Sequence, residues 1–218
     1  MIAVTGANGA LGQLVIKSLL QHTDASQIVG LVRDPDTAGA ISETGIALRK
    51  ADYNEVESLA TALQGIEQLL LISSNAIGSR VAQHKAVIDA AKSAGIKILV
   101  YTSVVKADSN PMILAREHKP TEEHLKTLGL AHFILRNGWY TENYTHGIAG
   151  ILEARAVFGA AQEGKFYKAS RADYAEAAAK ALLSPKDHIG KTYELAGDKS
   201  FTLSEFAQEI AKQAHKDI

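Results

Sequence analysis

A short apolar strand that runs directly into a glycine-rich loop is the feature that most constrains the fold of this chain. Residues 2–5 read Ile-Ala-Val-Thr, and glycines then follow at positions 6, 9 and 12. The next residues predict a helix with one apolar stripe along its length. That stripe consists of Leu11, Leu14, Val15 and Leu19, completed by Ser18. A strand, a tight glycine turn and a helix in this order begin a right-handed β–α–β unit.

Short apolar strands and helices alternate along most of the chain. The expected strands are Ile2–Thr5, Gln27–Val32, Ile46–Lys50, Gln68–Ile72, Ile96–Thr102 and His132–Arg136. The clearest helices between them are Arg80–Ala94 and Pro120–Leu128. Buried strands that alternate with helices predict a doubly wound, mainly parallel α/β sheet with helices on both faces.

After Arg136 the pattern is less regular. The segments that follow are a polar and aromatic loop at 137–144, a glycine-punctuated region at 147–164, a helix at Arg171–Leu183 and a short strand at Thr192–Leu195. A last helix is expected to start after Thr202, which pairs with Glu205 as a capping box. Phe201 and Phe206 flank this start as a hydrophobic staple.

Composition excludes several classes of protein and site. The 218 residues carry 23 Lys and Arg against 24 Asp and Glu, so the basic charge of a nucleic-acid or anionic-membrane binder is missing. No cysteine is present, which excludes disulfides and thiolate metal sites.

Since neither a targeting signal nor a membrane-length apolar stretch is evident, we expect a cytoplasmic protein. We expect one domain over residues 1–218, in which residues 137–218 supply the substrate side, and a homo-oligomer is left open.

The glycine loop predicts a dinucleotide site. The first glycine permits the tight turn, the second lets the backbone approach a pyrophosphate, and the third lets the helix pack closely on the sheet. The N-terminus of the following helix offers N–H groups and a positive dipole end to the phosphates. Glycines also mark ordinary turns, but a triplet between the first strand and the first helix is the context that dinucleotide binding requires.

The end of the second strand indicates which dinucleotide binds. An NAD site usually has an acidic residue there, whereas this chain has Arg33 first and Asp34 second. A guanidinium can pair with the 2′-phosphate of NADP and stack on adenine. In the alternative interpretation Arg33 is solvated and Asp34 only caps the next helix. We favour NADPH.

Two further segments reach the same edge of the sheet. Asp52 follows the third strand and could reach the adenine amino group, or it could equally form a turn before a helix capped by Asn54 and Glu57. Residues 72–75 read Ile-Ser-Ser-Asn and end the fourth strand beside the glycine loop. Their small polar side chains leave room for a cofactor but would serve equally as a turn.

The chain lacks the usual proton relay of short-chain dehydrogenases. Those enzymes use a Tyr with a Lys four residues later, and none of the seven tyrosines here has that partner. Hydride transfer to an acceptor that is protonated late, such as a quinone, then needs positioning alone. No G-x-S-x-G motif indicates a serine hydrolase either.

The histidines have structural explanations. His118 and His124 lie among several glutamates, but their spacing matches no usual metal-ligand pattern and fits a charged helix start better. His84 shares a helical face with Val87 and Ile88, which predicts a partly buried, hydrogen-bonded imidazole.

These segments together resemble the NAD(P)H:quinone oxidoreductase type 2 family, an atypical, NmrA-like group of short-chain dehydrogenases related to triphenylmethane reductase. The residues that carry the resemblance are Gly6–Gly12, Val32-Arg33, Leu69–Ser74, Tyr101-Thr102-Ser103, Leu135–Tyr140 and Arg171–Tyr174. The resemblance covers essentially the whole chain. It implies a Rossmann-like fold and the NADPH-dependent, two-electron reduction of quinones, without flavin or metal.

The motifs and the resemblance together give an expected site. Its cofactor-binding residues are Gly6, Ala7, Asn8, Gly9, Ala10, Leu11, Arg33, Asp52, Ile72, Ser73, Ser74, Asn75, Thr102, Asn137, Gly138 and Trp139. Its substrate-binding residues are Tyr140, Thr141, Glu142 and Tyr144. The resemblance further implies that His118 orients the substrate, and the aromatic residues of the 137–144 loop suit a flat ring.

Two features depart from the family. Pro120 is expected in the first turn of the helix that carries His118, where proline is tolerated but can move that side chain. The chain stops at Ile218, whereas family members usually continue with a further helical portion that helps cover the substrate site. Either this is a short member with an open pocket, or the sequence is truncated.

Two other functions remain open beside quinone reduction. NmrA-like proteins can be non-catalytic NADP(H) sensors that bind a partner protein, and a missing Tyr–Lys pair fits a sensor as well as a reductase. A reductase of azo or triarylmethane dyes would share the cofactor and differ only in its acceptor.

Overall fold

The computed structural model of the chain describes residues 1–218. The strands are β1 (Ile2–Thr5), β2 (Ile28–Val32), β3 (Ala47–Lys50), β4 (Gln68–Leu71), β5 (Ile98–Val104), β6 (His132–Asn137), β7 (Trp139–Tyr140), β8 (Phe166–Ala169), β9 (Thr192–Leu195) and β10 (Ser200–Phe201). The α-helices are α1 (Ala10–Leu19), α2 (Val56–Ala62), α3 (Arg80–Ser93), α4 (Ala115–Thr127), α5 (Glu142–Thr145), α6 (Ile148–Ala154), α7 (Arg171–Leu183) and α8 (Leu203–Ala214). No helix has both the length and the apolar character that a bilayer span needs.

The chain divides into two compact units. The first comprises Met1–Asn137 and Ala172–Glu194, and the second comprises Gly138–Arg171 and Leu195–Ile218. The main sheet has the strand order β3-β2-β1-β4-β5-β6-β9, and β1 to β6 pair in parallel. This arrangement confirms the predicted doubly wound α/β fold. Strand order reverses between β1 and β4, so a crevice for ligands is expected at their carboxyl ends.

The central strands are buried along their whole length, because helices cover both faces of a parallel sheet. Every residue of β1, β2 and β5 is buried. On α1 the buried residues are Leu11, Gly12, Val15, Ile16 and Leu19. The predicted stripe was therefore partly wrong, since Leu14 and Ser18 are only half-buried and Ile16 takes their place in the core.

The start of α4 differs from the prediction. The helix begins at Ala115, so Pro120 is its sixth residue and lies in the second turn, not the first. Proline favours the first turn because its missing N–H is unpaired there in any case. Here the N-cap residue Leu114 has no side-chain cap that would mark the true start. His118 consequently lies inside the helix, ahead of the proline.

The second unit contains a small sheet with the order β10-β8-β7. Its α8 starts as predicted: Thr202 Oγ1 accepts a hydrogen bond from Glu205 N at 3.1 Å, and Thr202 N donates to Glu205 Oε2 at 2.7 Å. The staple is also confirmed, with the Phe201 and Phe206 ring centroids 5.7 Å apart. The short strands β7, β8 and β10 were not predicted from the sequence.

Candidate cofactor site

The glycine loop closes tightly between β1 and α1. Gly6 has a φ of +56°, a left-handed conformation that glycine adopts at least cost, and its carbonyl accepts a hydrogen bond from Gly9 N at 2.8 Å. Ala7 N donates to Leu31 O at 3.2 Å and so ties the loop to β2. A Cβ on Gly12 would lie 2.3 Å from Gly6 O, so the helix approaches the loop only because this residue is glycine.

The N-terminus of α1 has no side-chain cap. Gly9 is the N-cap residue, and no acidic side chain lies in the first turn. The first N–H groups of the helix therefore keep their capacity to donate, and the helix dipole adds a positive potential. Gly6 and Gly9, which precede these donors, are both exposed and have no side chain. This cradle of backbone donors fits the pyrophosphate of a dinucleotide.

Arg33 occupies the position after the second strand at which dinucleotide sites of this fold select NAD or NADP. It follows β2 directly, is exposed, and forms no ion pair within the chain. The neighbouring Asp34 accepts a hydrogen bond from Asp36 N at 3.0 Å and caps the 3-10 helix Pro35–Thr37. The alternative interpretation of the sequence predicted this cap. Asn8 Nδ2 donates to Thr37 O at 3.3 Å, which joins the glycine loop to the same turn. The guanidinium thus remains available for a 2′-phosphate.

Asp52 forms a turn after β3. Its Oδ1 accepts hydrogen bonds from Asn54 N at 2.9 Å and from Asn54 Nδ2 at 3.1 Å. The expected cap by Asn54 and Glu57 was wrong: α2 has Glu55 as its N-cap residue, because the Asn54 side chain binds back to Asp52. Contact of the Asp52 carboxylate with adenine stays a prediction.

Three successive amides after β4 donate to buried side chains. The N–H groups of residues 72, 73 and 74 bind Thr5 Oγ1 at 2.9 Å, Thr102 Oγ1 at 3.0 Å and His84 Nε2 at 2.9 Å. The acceptors come from β1, β5 and α3. We call residues 72–74 the anchored segment. The Ile72 Cβ lies 3.9 Å from where a Cβ on Gly6 would stand, so this segment borders the glycine loop. Asn75, the next residue, is exposed.

A buried arginine holds the loop that follows the anchored segment. Arg80 Nε donates to Ser74 O at 2.6 Å, and Arg80 Nη1 lies 3.4 Å from Glu117 Oε2. Glu117 Oε1 accepts a hydrogen bond from Gly78 N at 2.7 Å. These roles of Arg80 and Glu117 could not be predicted from the sequence, because a pair of charged residues on two separate helices gives no local signal.

His84 and His118 are linked through Tyr101. His84 Nδ1 lies 3.1 Å from Thr121 Oγ1 and 3.3 Å from Tyr101 Oη, and Tyr101 Oη lies 2.7 Å from His118 Nδ1. His84 has no exposed surface and His118 is 5% exposed. Burial lowers the pKa of His84 to about 3 and that of His118 to about 4. Both rings are therefore neutral at physiological pH. The expected hydrogen-bonded His84 is confirmed, and a contact of His118 with substrate stays a prediction.

Arg136 is the centre of a second buried network. Its guanidinium binds both carboxylate oxygens of Glu122, at 2.9 and 2.7 Å, and Glu194 Oε1 at 2.7 Å. Ser103 Oγ donates to Glu122 Oε1 at 2.6 Å. The hydrogen bonds to Glu122 hold the pKa of Arg136 above its ordinary value. This network fixes the end of β6 at Asn137, the first residue of the expected 137–139 cofactor segment.

Residues 138–141 belong to the second unit. Gly138 N donates to Leu195 O at 2.8 Å, and Thr141 N donates to Ala169 O at 2.9 Å. Trp139 is 39% exposed, and the Arg171 guanidinium lies 4.9 Å from the centroid of the Tyr140 ring. Two aromatic side chains of this segment are thus presented on a short strand.

Glu142 and Tyr144 have structural partners in the second unit. The Glu142 carboxylate accepts from Arg171 N at 3.0 and 3.1 Å. The Tyr144 ring packs edge-on against Phe166, Phe201 and Phe206, with centroid distances of 5.4, 5.2 and 5.9 Å. A role of either side chain in substrate binding stays a prediction.

The acidic and histidine side chains do not form a metal site. No group of three or more His, Cys, Asp or Glu side chains could hold an ion. His124 instead pairs with Asp89, at 2.7 Å.

Comparison with known proteins agrees with this geometry. A family described as NAD(P)H-binding matches residues 6–185. Quinone oxidoreductase 2 of Escherichia coli (strain K12) is 50% identical over 218 residues, which is 100% of this chain and 76% of that protein. The crystal structure of the NADPH-dependent quinone oxidoreductase from E. coli in complex with NADPH superposes with a TM-score of 0.96, at 50% identity, and covers 100% of this chain and 76% of that one.

A dye reductase is also similar. The crystal structure of the Citrobacter sp. triphenylmethane reductase complexed with NADP(H) has a TM-score of 0.95 at 35% identity, and the match covers 100% of this chain and 78% of that chain. Both the family match and the full-length identity support the resemblance that the motifs indicated. The chain therefore belongs to the NAD(P)H-binding family, in the NmrA-like group that includes quinone oxidoreductase 2 and triphenylmethane reductase.

Proposed function

We propose that this chain is an NADPH-dependent quinone oxidoreductase that passes a hydride directly to a small quinone, without flavin or metal. The observation that carries the choice of cofactor is the unpaired Arg33 at the end of β2, beside a glycine loop and an uncapped helix. The class of acceptor rests on the 50% identity to the E. coli quinone oxidoreductase over the full chain.

The proposal gives each part of the site a role. The glycine loop and the start of the helix, residues 6–11, hold the pyrophosphate, Arg33 binds the 2′-phosphate, and Asp52 lies towards the adenine. The nicotinamide side is lined by Ile72, Ser73, Ser74, Asn75, Thr102, Asn137, Gly138 and Trp139. The substrate entrance is lined by Tyr140, Thr141, Glu142 and Tyr144, and His118 orients the substrate.

NADPH, when bound, supplies the hydride, and the protein holds the two reactants in place. No Tyr–Lys pair is available to protonate the acceptor. A quinone tolerates this, because it gains aromaticity on reduction and can take its protons from water. The proposal also places the enzyme in the cytoplasm with a small-molecule substrate, and the near-zero net charge favours such a substrate over nucleic acid or an anionic membrane surface.

Steady-state oxidation of NADPH tests the proposal. Absorbance is followed with and without a simple benzoquinone, and again with NADH in place of NADPH. We expect turnover that depends on both enzyme and quinone and that is faster with NADPH. Binding of NADPH by calorimetry with no turnover on any quinone or dye would instead identify an NADP(H) sensor. Turnover on triarylmethane dyes alone would identify a dye reductase.

A further inference from the structure

One residue of the anchored segment is held by three side chains of a single helix. Ser74 C=O accepts from Arg80 Nε at 2.6 Å, Ser74 Oγ donates to Gln83 Oε1 at 2.7 Å, and Ser74 N donates to His84 Nε2 at 2.9 Å. Residues 80, 83 and 84 share one face of α3, because three and four residues separate neighbours on a helix surface. Every polar group of Ser74 is therefore fixed from one side.

The hydrogen bonds around His84 determine its tautomer. An amide can only donate, so Nε2 must be the unprotonated nitrogen that accepts from Ser74 N. In a neutral ring Nδ1 then carries the hydrogen. Thr121 Oγ1 donates its own hydrogen to Glu117 O at 2.9 Å, which leaves it to accept from His84 Nδ1 at 3.1 Å. Tyr101 Oη lies 3.3 Å from the same nitrogen.

The same chain of bonds continues to His118 and ends there. Since His84 Nδ1 is the donor, the Tyr101 hydroxyl can donate to His118 Nδ1, at 2.7 Å. A proton passed along this chain towards His118 would leave His84 as an anionic imidazolate, because Ser74 N cannot resupply it. This series of hydrogen bonds therefore fixes the positions of the side chains and does not deliver protons.

We propose that His84 is a positioning residue for the cofactor: its neutral imidazole, held as the Nδ1–H tautomer by Thr121 and Tyr101, fixes the backbone of Ser74 and thereby sets the affinity for NADPH. The inference rests on the proposed function, since it requires the anchored segment to border the nicotinamide. Burial and the nearby charge of Arg80 support it by keeping the pKa of His84 well below the ordinary value.

Two variants of His84 distinguish the roles of its two ring nitrogens, Nε2 and Nδ1. In His84→Gln the amide oxygen can take the place of Nε2, so the acceptor for Ser74 N is retained. In His84→Asn the shorter amide replaces Nδ1, and Ser74 N loses its acceptor. Loss of this one buried bond is expected to weaken NADPH binding about tenfold in His84→Asn. We expect His84→Gln to bind NADPH within about threefold of the wild type. His124→Asn removes a histidine whose partner is Asp89 on the surface, and it serves as the matched control.

Dissociation constants for NADPH, measured by calorimetry on folded protein, decide between the outcomes. The inference is overturned if His84→Asn binds NADPH as tightly as His124→Asn, or if His84→Gln is impaired as much as His84→Asn. A kcat and KM analysis with benzoquinone gives a second readout, in which the defect of His84→Asn is expected in KM for NADPH. If the wild type itself binds no NADPH, the proposed function fails as well.

Nitrogen NMR of the wild-type imidazoles tests the inference without any substitution, should the variants fold poorly. We expect His84 to show an unprotonated Nε2 and a protonated Nδ1 at neutral pH, and its signals to shift when NADPH is added. A protonated Nε2, or signals that ignore NADPH, would contradict the positioning role.

Discussion

Arg33 and Asp34 are adjacent in the chain, but only the Asp34 side chain has a hydrogen-bonding partner within the protein. The Asp34 carboxylate is occupied by Asp36 N, whereas the Arg33 guanidinium has no partner. Had the carboxylate faced a ribose, it would have favoured NAD and repelled a 2′-phosphate. Its use as a turn cap therefore supports the preference for NADP(H) as much as the arginine does.

Substitution of Arg33 is expected to abolish that preference. Arg33→Ala removes a charge-assisted pair with the 2′-phosphate, which is worth about 1.5–3 kcal/mol, or about 10- to 150-fold in affinity for NADPH. Affinity for NADH should stay unchanged. The measurement is a pair of dissociation constants for the two cofactors. Arg116→Ala, which removes another exposed arginine, is the control. An unchanged NADPH/NADH ratio in Arg33→Ala would show that this assignment is wrong.

At the same scale, the sequence could indicate Arg33 as a candidate but not the contact that His84 makes with Ser74. Arg33 is found because the topology fixes the position that follows the second strand. His84 accepts from an amide ten residues away, and nothing in the spacing of charged or polar residues records that contact. Its expected role as a satisfied histidine was confirmed, but the identity of its partner needed the fold.

Among the elements, those with a strong local pattern were predicted well. The helix Arg171–Leu183 and the strand Thr192–Leu195 have the expected bounds, and α3 ends one residue early. Features without a signal were missed: the start of α4 has no side-chain cap, and β7 and β10 contain only two residues each. A two-residue strand has no periodicity to read, so its existence depends on pairing partners elsewhere in the chain.

The packing of α1 on the glycine loop gives a prediction at this scale. A methyl group on Gly12 would stand 2.3 Å from Gly6 O and 2.9 Å from Ala7 Cα. These are backbone atoms, so the helix itself must shift. Gly12→Ala is expected to lower the free energy of unfolding by about 1–3 kcal/mol and to weaken NADPH binding, because the phosphate-binding N–H groups move with the helix.

Gly150→Ala is the matched control for this prediction. Gly150 lies in α6, is exposed, and has open space where its Cβ would stand. Alanine there is expected to stabilise the protein by up to about 1 kcal/mol through helix propensity, with NADPH affinity unchanged. Urea denaturation and calorimetry measure both effects. Equal stability of Gly12→Ala and the wild type would contradict the close approach of helix and loop.

For the molecule as a whole, the first unit buries its polar groups near the carboxyl ends of the central strands. These groups are Thr5, Arg80, His84, Thr102, Ser103, His118, Thr121, Glu122, Arg136 and Asn137. Buried polar groups add little net stability compared with apolar residues of equal volume. Removal of one member of a buried hydrogen-bonded pair nevertheless lowers the free energy of unfolding, because the other member is left without a partner. Their concentration at the expected ligand crevice thus indicates that they shape the site rather than stabilise the fold.

The two buried histidines make the stability of the whole protein depend on pH. Their pKa values in the folded state, about 3 for His84 and about 4 for His118, lie below the ordinary value near 6.5 of an unfolded chain. Above that pH neither state binds the proton and the effect is absent. As the pH falls below about 6.5, only the unfolded state takes up protons, so the free energy of unfolding decreases by up to about 1.4 kcal/mol per pH unit for each ring.

Urea denaturation at about pH 7 and about pH 5 measures this loss. The titratable groups that act on the two rings are His118, which lowers the pKa of His84, Arg80, which lowers the pKa of both rings, and Glu122, which raises that of His118. Carboxylates elsewhere also titrate, but they are the same in a His84→Gln/His118→Gln variant. That variant is expected to lose less stability between the two pH values than the wild type. An equal loss would mean that both rings take up their protons in the folded state as they do in the unfolded chain, and the neutral series of hydrogen bonds from Ser74 to His118 would then be wrong.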